Sequence, residues 1–125
     1  MTYRKIILAV GSNLLLILVL IPLAMAHVKA KETNPESGAV LTEAPTVISI
    51  QFTGPAKLVS LELTGSNVEL VKIDVSEATS VDGLVTVQIP PLSPDAYTVS
   101  WRALSIDGHP AKGSFTFEIS TPDSS

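Results

Sequence analysis

Tyr97-Thr98-Val99-Ser100-Trp101-Arg102-Ala103 is the stretch that decides the fold. Apolar side chains fall on every second position, with Tyr97, Val99 and Trp101 on one face and Thr98, Ser100 and Arg102 on the other. That period of two marks a half-buried strand. Trp101 and the aromatics near it are expected to fill a core rather than line a ligand slot.

The same pattern extends outward in both directions. Downstream, residues 105–113 read as a loop carrying Asp107 and His109. Ser114-Phe115-Thr116-Phe117-Glu118-Ile119 then forms a last strand with Phe115, Phe117 and Ile119 pointing one way. Upstream, Pro90-Pro91-Leu92-Ser93-Pro94-Asp95 is a stiff connector, preceded by the strand pattern Leu84-Val85-Thr86-Val87-Gln88-Ile89. Residues 76–83 are polar and carry no clear pattern. Residues 58–63 and 68–73 flank Gly65-Ser66-Asn67 and predict a hairpin. Val47-Ile48-Ser49-Ile50-Gln51-Phe52 reads as a strand, bounded by Ala44-Pro45 and Gly54-Pro55. Asn34-Pro35-Glu36-Ser37-Gly38 is a turn cluster, and before it Val28 and Ala30 alternate with Lys29 and Lys31. About seven short strands with turn signals between them predict an all-β fold. The expected architecture is an antiparallel Greek-key β-sandwich or barrel, immunoglobulin-like or cupredoxin-like.

Residues 1–26 stand apart from this domain. Arg4 and Lys5 precede an apolar segment over residues 6–20, and Pro22 comes just before the small-x-small site Ala24-Met25-Ala26. These are the parts of a signal peptide, so residues 1–26 are expected to be removed and residues 27–125 to form one exported domain. The location is then periplasmic or otherwise extracytoplasmic. Retained instead as an anchor, the uncharged run from Ile6 to Ala26 is about long enough to span a bilayer.

Composition excludes several function classes. Without Arg4 and Lys5, six of the eight basic residues remain against twelve acidic ones, a net charge of about −6. Nucleic acid, which demands a basic surface, is not an expected partner. There is no cysteine, hence no disulfide framework, thiolate site or cysteine nucleophile. Both methionines, Met1 and Met25, lie in the leader, so the domain has no sulfur ligand. With two histidines, a hydrolytic triad finds no support.

Those two histidines are the chemically suggestive residues. Cleavage after Ala26 would make His27 the first residue, offering a free amine and an imidazole that close one chelate ring around a metal. The other, His109, follows Asp107 by two positions, with Gly108 between and Pro110 after. An i, i+2 pair in extended backbone places both side chains on one face about 7 Å apart, while Gly108 lets the backbone turn tightly there and Pro110 stiffens the exit. Nitrogen-rich donors of this kind suit Cu(II) among divalent ions. The simpler reading of Asp107-Gly108-His109 is a solvated turn, and composition alone leaves both open.

The chain also resembles the CopC family of periplasmic copper-binding proteins. The matching pieces are Ala26-His27-Val28, Thr33-Asn34-Pro35-Glu36-Ser37-Gly38, and Ala44-Pro45 before a strand ending at Phe52. The longest match runs over residues 92–110, Leu-Ser-Pro-Asp-Ala-Tyr-Thr-Val-Ser-Trp-Arg-Ala-Leu-Ser-Ile-Asp-Gly-His-Pro, and continues as Gly113-Ser114-Phe115-Thr116-Phe117. The resemblance implies a seven-stranded cupredoxin-like barrel or sandwich. It also implies a site for one Cu(II) built from His27, through amine and ring, with Asp107 and His109. Two departures stand out. The region in which some members carry a methionine-rich Cu(I) loop, between about Leu63 and Val85, holds no methionine, and Gly54 stands near where a glutamate often follows the Phe of the second strand.

The expected function is a non-catalytic Cu(II) carrier for copper resistance, carrying the ion or delivering it to an inner-membrane transporter of the CopD type, and a monomer is expected. The alternatives are a histidine-brace copper oxidase or oxygenase, or a metal-free immunoglobulin-like module.

Overall fold

The computed structural model describes residues 28–121. The expected leader and cleavage site, and His27, lie outside the described residues. Nine strands run in order: β1 (Ala30–Asn34), β2 (Ala39–Leu41), β3 (Val47–Phe52), β4 (Ala56–Gly65), β5 (Val71–Ile73), β6 (Thr79–Val81), β7 (Leu84–Gln88), β8 (Asp95–Ser105) and β9 (Pro110–Ile119). They form a four-stranded sheet in the order β1-β3-β7-β6 and a five-stranded sheet in the order β2-β9-β8-β4-β5. This is the all-β sandwich expected from the alternating sequence.

The period of two dictates the core. Ile48, Ile50 and Phe52 of β3 and Val85 and Val87 of β7 turn inward from the first sheet. Leu61 and Leu63 of β4, Tyr97, Val99 and Trp101 of β8, and Phe115, Phe117 and Ile119 of β9 meet them from the second. Each such side chain contributes about 1.5–3 kcal/mol when fully buried, so this layer is what holds the sandwich. Phe52 crosses between the sheets to meet Trp101 edge-on, ring centroids 5.1 Å apart at 78°. Trp101 is a core residue, as its place in the alternation predicts. It fits because Gly113, opposite it on β9, has no side chain; a Cβ there would lie 2.5 Å from the indole ring. Among the described residues no polar or charged residue is buried. Tyr97 keeps its hydroxyl satisfied by donating to the Ser93 carbonyl at 2.6 Å.

The predicted hairpin is present, with Leu61 opposite Ile73 and Leu63 opposite Val71. Two strands exceed the expected seven. Three-residue β2 lies parallel to β9, Ala39 opposite Phe117 and Leu41 opposite Ile119, so one pair departs from the antiparallel rule. Three residues give no readable alternation, and an extended backbone there is set by the free edge of β9. β6 falls in the polar stretch 76–83 and folds back on β7 with Val81 opposite Leu84. Its connection is Asp82-Gly83, both at positive φ (49° and 83°). That is the two-residue hairpin chemistry that Asp-Gly favours, a signal the alternation pattern overlooks.

Candidate metal centre

β8 runs outward from the core through Ala103 and Leu104, and β9 returns at Pro110, with Leu104 opposite Pro110 as their last pair. Between them the Gly108 N–H donates to the Ser105 carbonyl at 2.9 Å, and the Ser105 N–H donates to the His109 carbonyl at 3.0 Å. Gly108 sits at φ +85°, the left-handed position that closes a three-residue hairpin loop and that glycine occupies without strain. The extended i, i+2 geometry is therefore corrected, whereas the tight turn expected at Gly108 is present. Asp107 and His109 converge because the chain turns between them, not because it stays extended.

The turn is stitched together by side chains. The Ser105 hydroxyl donates to Asp107 Oδ1, and the His109 backbone N–H also reaches that oxygen at 3.3 Å. Asp107 Oδ2 lies 2.7 Å from His109 Nδ1. These contacts, led by the Ser105 hydroxyl, pull the Asp107 carboxyl down to about 2. The carboxylate is thus an anion throughout the neutral range. A proton on Nδ1 directed at Asp107 leaves Nε2 free to donate its lone pair. Both side chains remain about half exposed, 48% for His109 and 62% for Asp107, so an ion can reach them. Ser105 is the participant that the sequence reading gave no role, although a hydroxyl two residues before a carboxylate is a recognisable local hydrogen-bonding pattern.

The wall facing this turn comes from the other end of the sequence. Val28, Thr53, Gly54, Pro55, Ser105, Ile106 and Asp107 line one cleft of about 280 Å³. Val28 is held there on two sides. Its side chain belongs to the core, and the next residue, Lys29, donates its N–H to Thr53 Oγ1 at 3.0 Å and accepts from the Thr53 N–H at 2.8 Å. Gly54 stands in the same cleft with open space where a side chain would project. The structure thus brings Asp107 and His109 together beside Val28. Among the described residues no group of three or more His, Cys, Asp or Glu side chains converges, so two donors are what this part of the chain supplies. A larger groove of about 730 Å³ lies on the outer face of β4, β8 and β9, lined by Arg102 and Lys112; it holds no imidazole and is not where the ligand chemistry gathers.

Residues 30–120 match the family model of the CopC domain. The chain belongs to the CopC family. It is 32% identical over 105 residues to copper resistance protein C of Xanthomonas campestris pv. juglandis, covering 77% of this chain and 82% of that protein. It is 31% identical over 115 residues to the copper transport protein CutJ of Bacillus subtilis, covering 88% of this chain but 21% of that longer protein. The crystal structure of CopC from Methylosinus trichosporium OB3b superposes with a TM-score of 0.65 at 22% identity, over 78% of this chain and 97% of that one. At that identity the likeness speaks for the sandwich fold.

Proposed function

We propose that this CopC-family chain is an extracytoplasmic carrier that binds one Cu(II) through the amine and imidazole of a cleaved N-terminal His27 together with His109 and Asp107. One observation carries this reading: Val28 lines the same cleft as Asp107. Residue 27 directly precedes Val28 in the chain, about 3.8 Å away between Cα atoms, which supports its pairing with the turn. The three nitrogens supply the field that Cu(II) favours, and a domain without sulfur has no soft ligand for Cu(I). Asp107 supplies the negative charge and, through its contact with Nδ1, orients His109 to present Nε2. A carboxylate that fixes a ligating histidine in this way is a common arrangement around bound metals.

The carrier acts by exchange rather than by chemistry. The site is half exposed at the tip of a hairpin, so an ion can enter and leave without the sandwich opening. Copper resistance and copper transport are what the relatives above are named for. The match to a small part of CutJ supports delivery to a membrane copper transporter, because there a domain of this kind sits within a much longer transport protein. Oxidative catalysis is the competing use of such a site; the carrier reading expects no ascorbate-driven oxygen consumption by the copper-loaded protein.

The test is calorimetric titration of Cu(II) into two forms of the chain, one beginning at His27 and one beginning at Ala26. The reading expects one tight ion for the first form and a loss of more than about a hundredfold for the second, whose His27 nitrogen is an amide. Equal affinity of the two forms would place the ion elsewhere.

A further inference from the structure

The outer face of β4, β8 and β9 carries a feature that copper binding does not use. Arg102 of β8 and Lys112 of β9 stand directly opposite each other, both exposed. Like charges paired across strands destabilise a sheet, and neither cation has an ion-pair partner among the described residues. Glu62, the acid among the groove's lining residues, stands opposite Ser100 and pairs with neither. Lys57 joins the same face, opposite Leu104. In a chain of net charge −4, three cations gathered on one sheet face make a local positive field complementary to an anion.

Shape and neighbours narrow the partner. The two cations line the 730 Å³ groove, with the serines of Ser60, Ser100 and Ser114 beside them. Val59 at 48%, Leu104 at 37% and Ile106 at 82% exposure add apolar surface along β4 and the tip of the β8–β9 hairpin. A concave groove admits a protruding stretch of chain, whereas a flat bilayer cannot enter it, and anionic headgroups would repel the acidic remainder of the domain. The Arg102–Lys112 pair lies two residues, about 7 Å, from the Leu104–Pro110 pair that closes the metal turn. We propose that this face docks an acidic, extended segment of the protein that exchanges copper with the chain. The partner's role rests on the carrier reading; the docking surface itself does not.

The experiment titrates an acetylated octapeptide of alternating glutamate and serine into the ¹⁵N-labelled chain beginning at His27, followed by amide shifts. Shifts gathered at Ser60, Ser100, Arg102, Lys112 and Ser114, fading as salt is raised, are expected. The double variant Arg102→Glu with Lys112→Glu should bind the peptide about tenfold more weakly, and Lys112→Gln alone should fall between, both keeping the near-ultraviolet signal of Trp101. Shifts spread equally over Lys29 and Lys31, or undiminished in the double variant, would overturn the proposal. So would sedimentation with phosphatidylglycerol vesicles that the double variant loses, which would assign the face to lipid. Copper titration of the same samples separates the two readings: a parent chain that takes up no Cu(II) contradicts the carrier, while the peptide result still decides the groove.

Discussion

Two aspartates bracket the longest strand of the molecule and are used in opposite ways. Asp95 begins β8, and Asp107 follows its end. Both carboxyls are held below their ordinary value, yet the leading donor differs in kind. Asp95 is lowered chiefly by the backbone N–H of Asn67, at 2.9 Å, with the Ala96 N–H at 2.8 Å on its other oxygen. It pins the β4–β5 connection to the start of β8, and Gly65 leaves room for it; a Cβ there would lie 2.5 Å from the carboxylate. Asp107 is lowered chiefly by the Ser105 hydroxyl and is in contact with an imidazole. Backbone amides cannot rotate away. A serine hydroxyl and a histidine ring can, so an incoming cation can replace them. A depressed carboxylate alone therefore does not mark a site; on the proposed reading, the mobility of the leading donor is what distinguishes Asp107 from Asp95.

Substitutions test that difference in descending order of effect. His109→Ala should weaken Cu(II) binding by more than about a hundredfold and leave the thermal midpoint nearly unchanged, as calorimetry and thermal unfolding would show. Asp107→Ala should weaken binding by about ten- to a hundredfold, again with little effect on stability. Asp95→Ala should do the reverse, lowering the midpoint by a few degrees with copper affinity intact. If Asp95→Ala loses copper, or Asp107→Ala unfolds the domain, the distinction fails. Gly54→Glu places a carboxylate in open space on the cleft wall and should tighten Cu(II) by up to about tenfold without a stability change.

Acid gives a smaller and common effect. A carboxyl depressed in the folded state contributes stability that is complete above its unfolded value of 3.8 and is lost as pH falls through its folded value. For Asp107 that window lies between 3.8 and about 2, so apo-protein stability should be insensitive to this group above pH 4 and decline below it. Copper affinity should weaken as pH falls, because protons compete with the ion for its nitrogen donors.

Much of this was legible in the sequence, for physical reasons. The alternation in 97–103 and 114–119 records which side chains meet the core, and a core of that kind leaves its period wherever a strand exceeds about five residues. β2 and β6, at three residues each, are too short to record it; β5, equally short, was readable from the Gly65-Ser66-Asn67 turn before it. Asp107 and His109 were readable because they are local to one turn. The Asn67–Asp95 contact was not, because it joins a carboxylate to a backbone amide 28 positions away, where any residue supplies the N–H. The extended geometry expected for Asp107 and His109 failed for a related reason: spacing gives separation along the chain, whereas Gly108, readable as a tight turn, sets the direction.

The central claim is that the ion is held between a newly made N-terminus and the β8–β9 turn. Its most direct test is the electron paramagnetic resonance spectrum of the chain beginning at His27, loaded with one equivalent of Cu(II). The account predicts an axial signal with nitrogen hyperfine structure that changes both in His109→Ala and when Ala26 precedes His27. A signal unaltered by either change would contradict it.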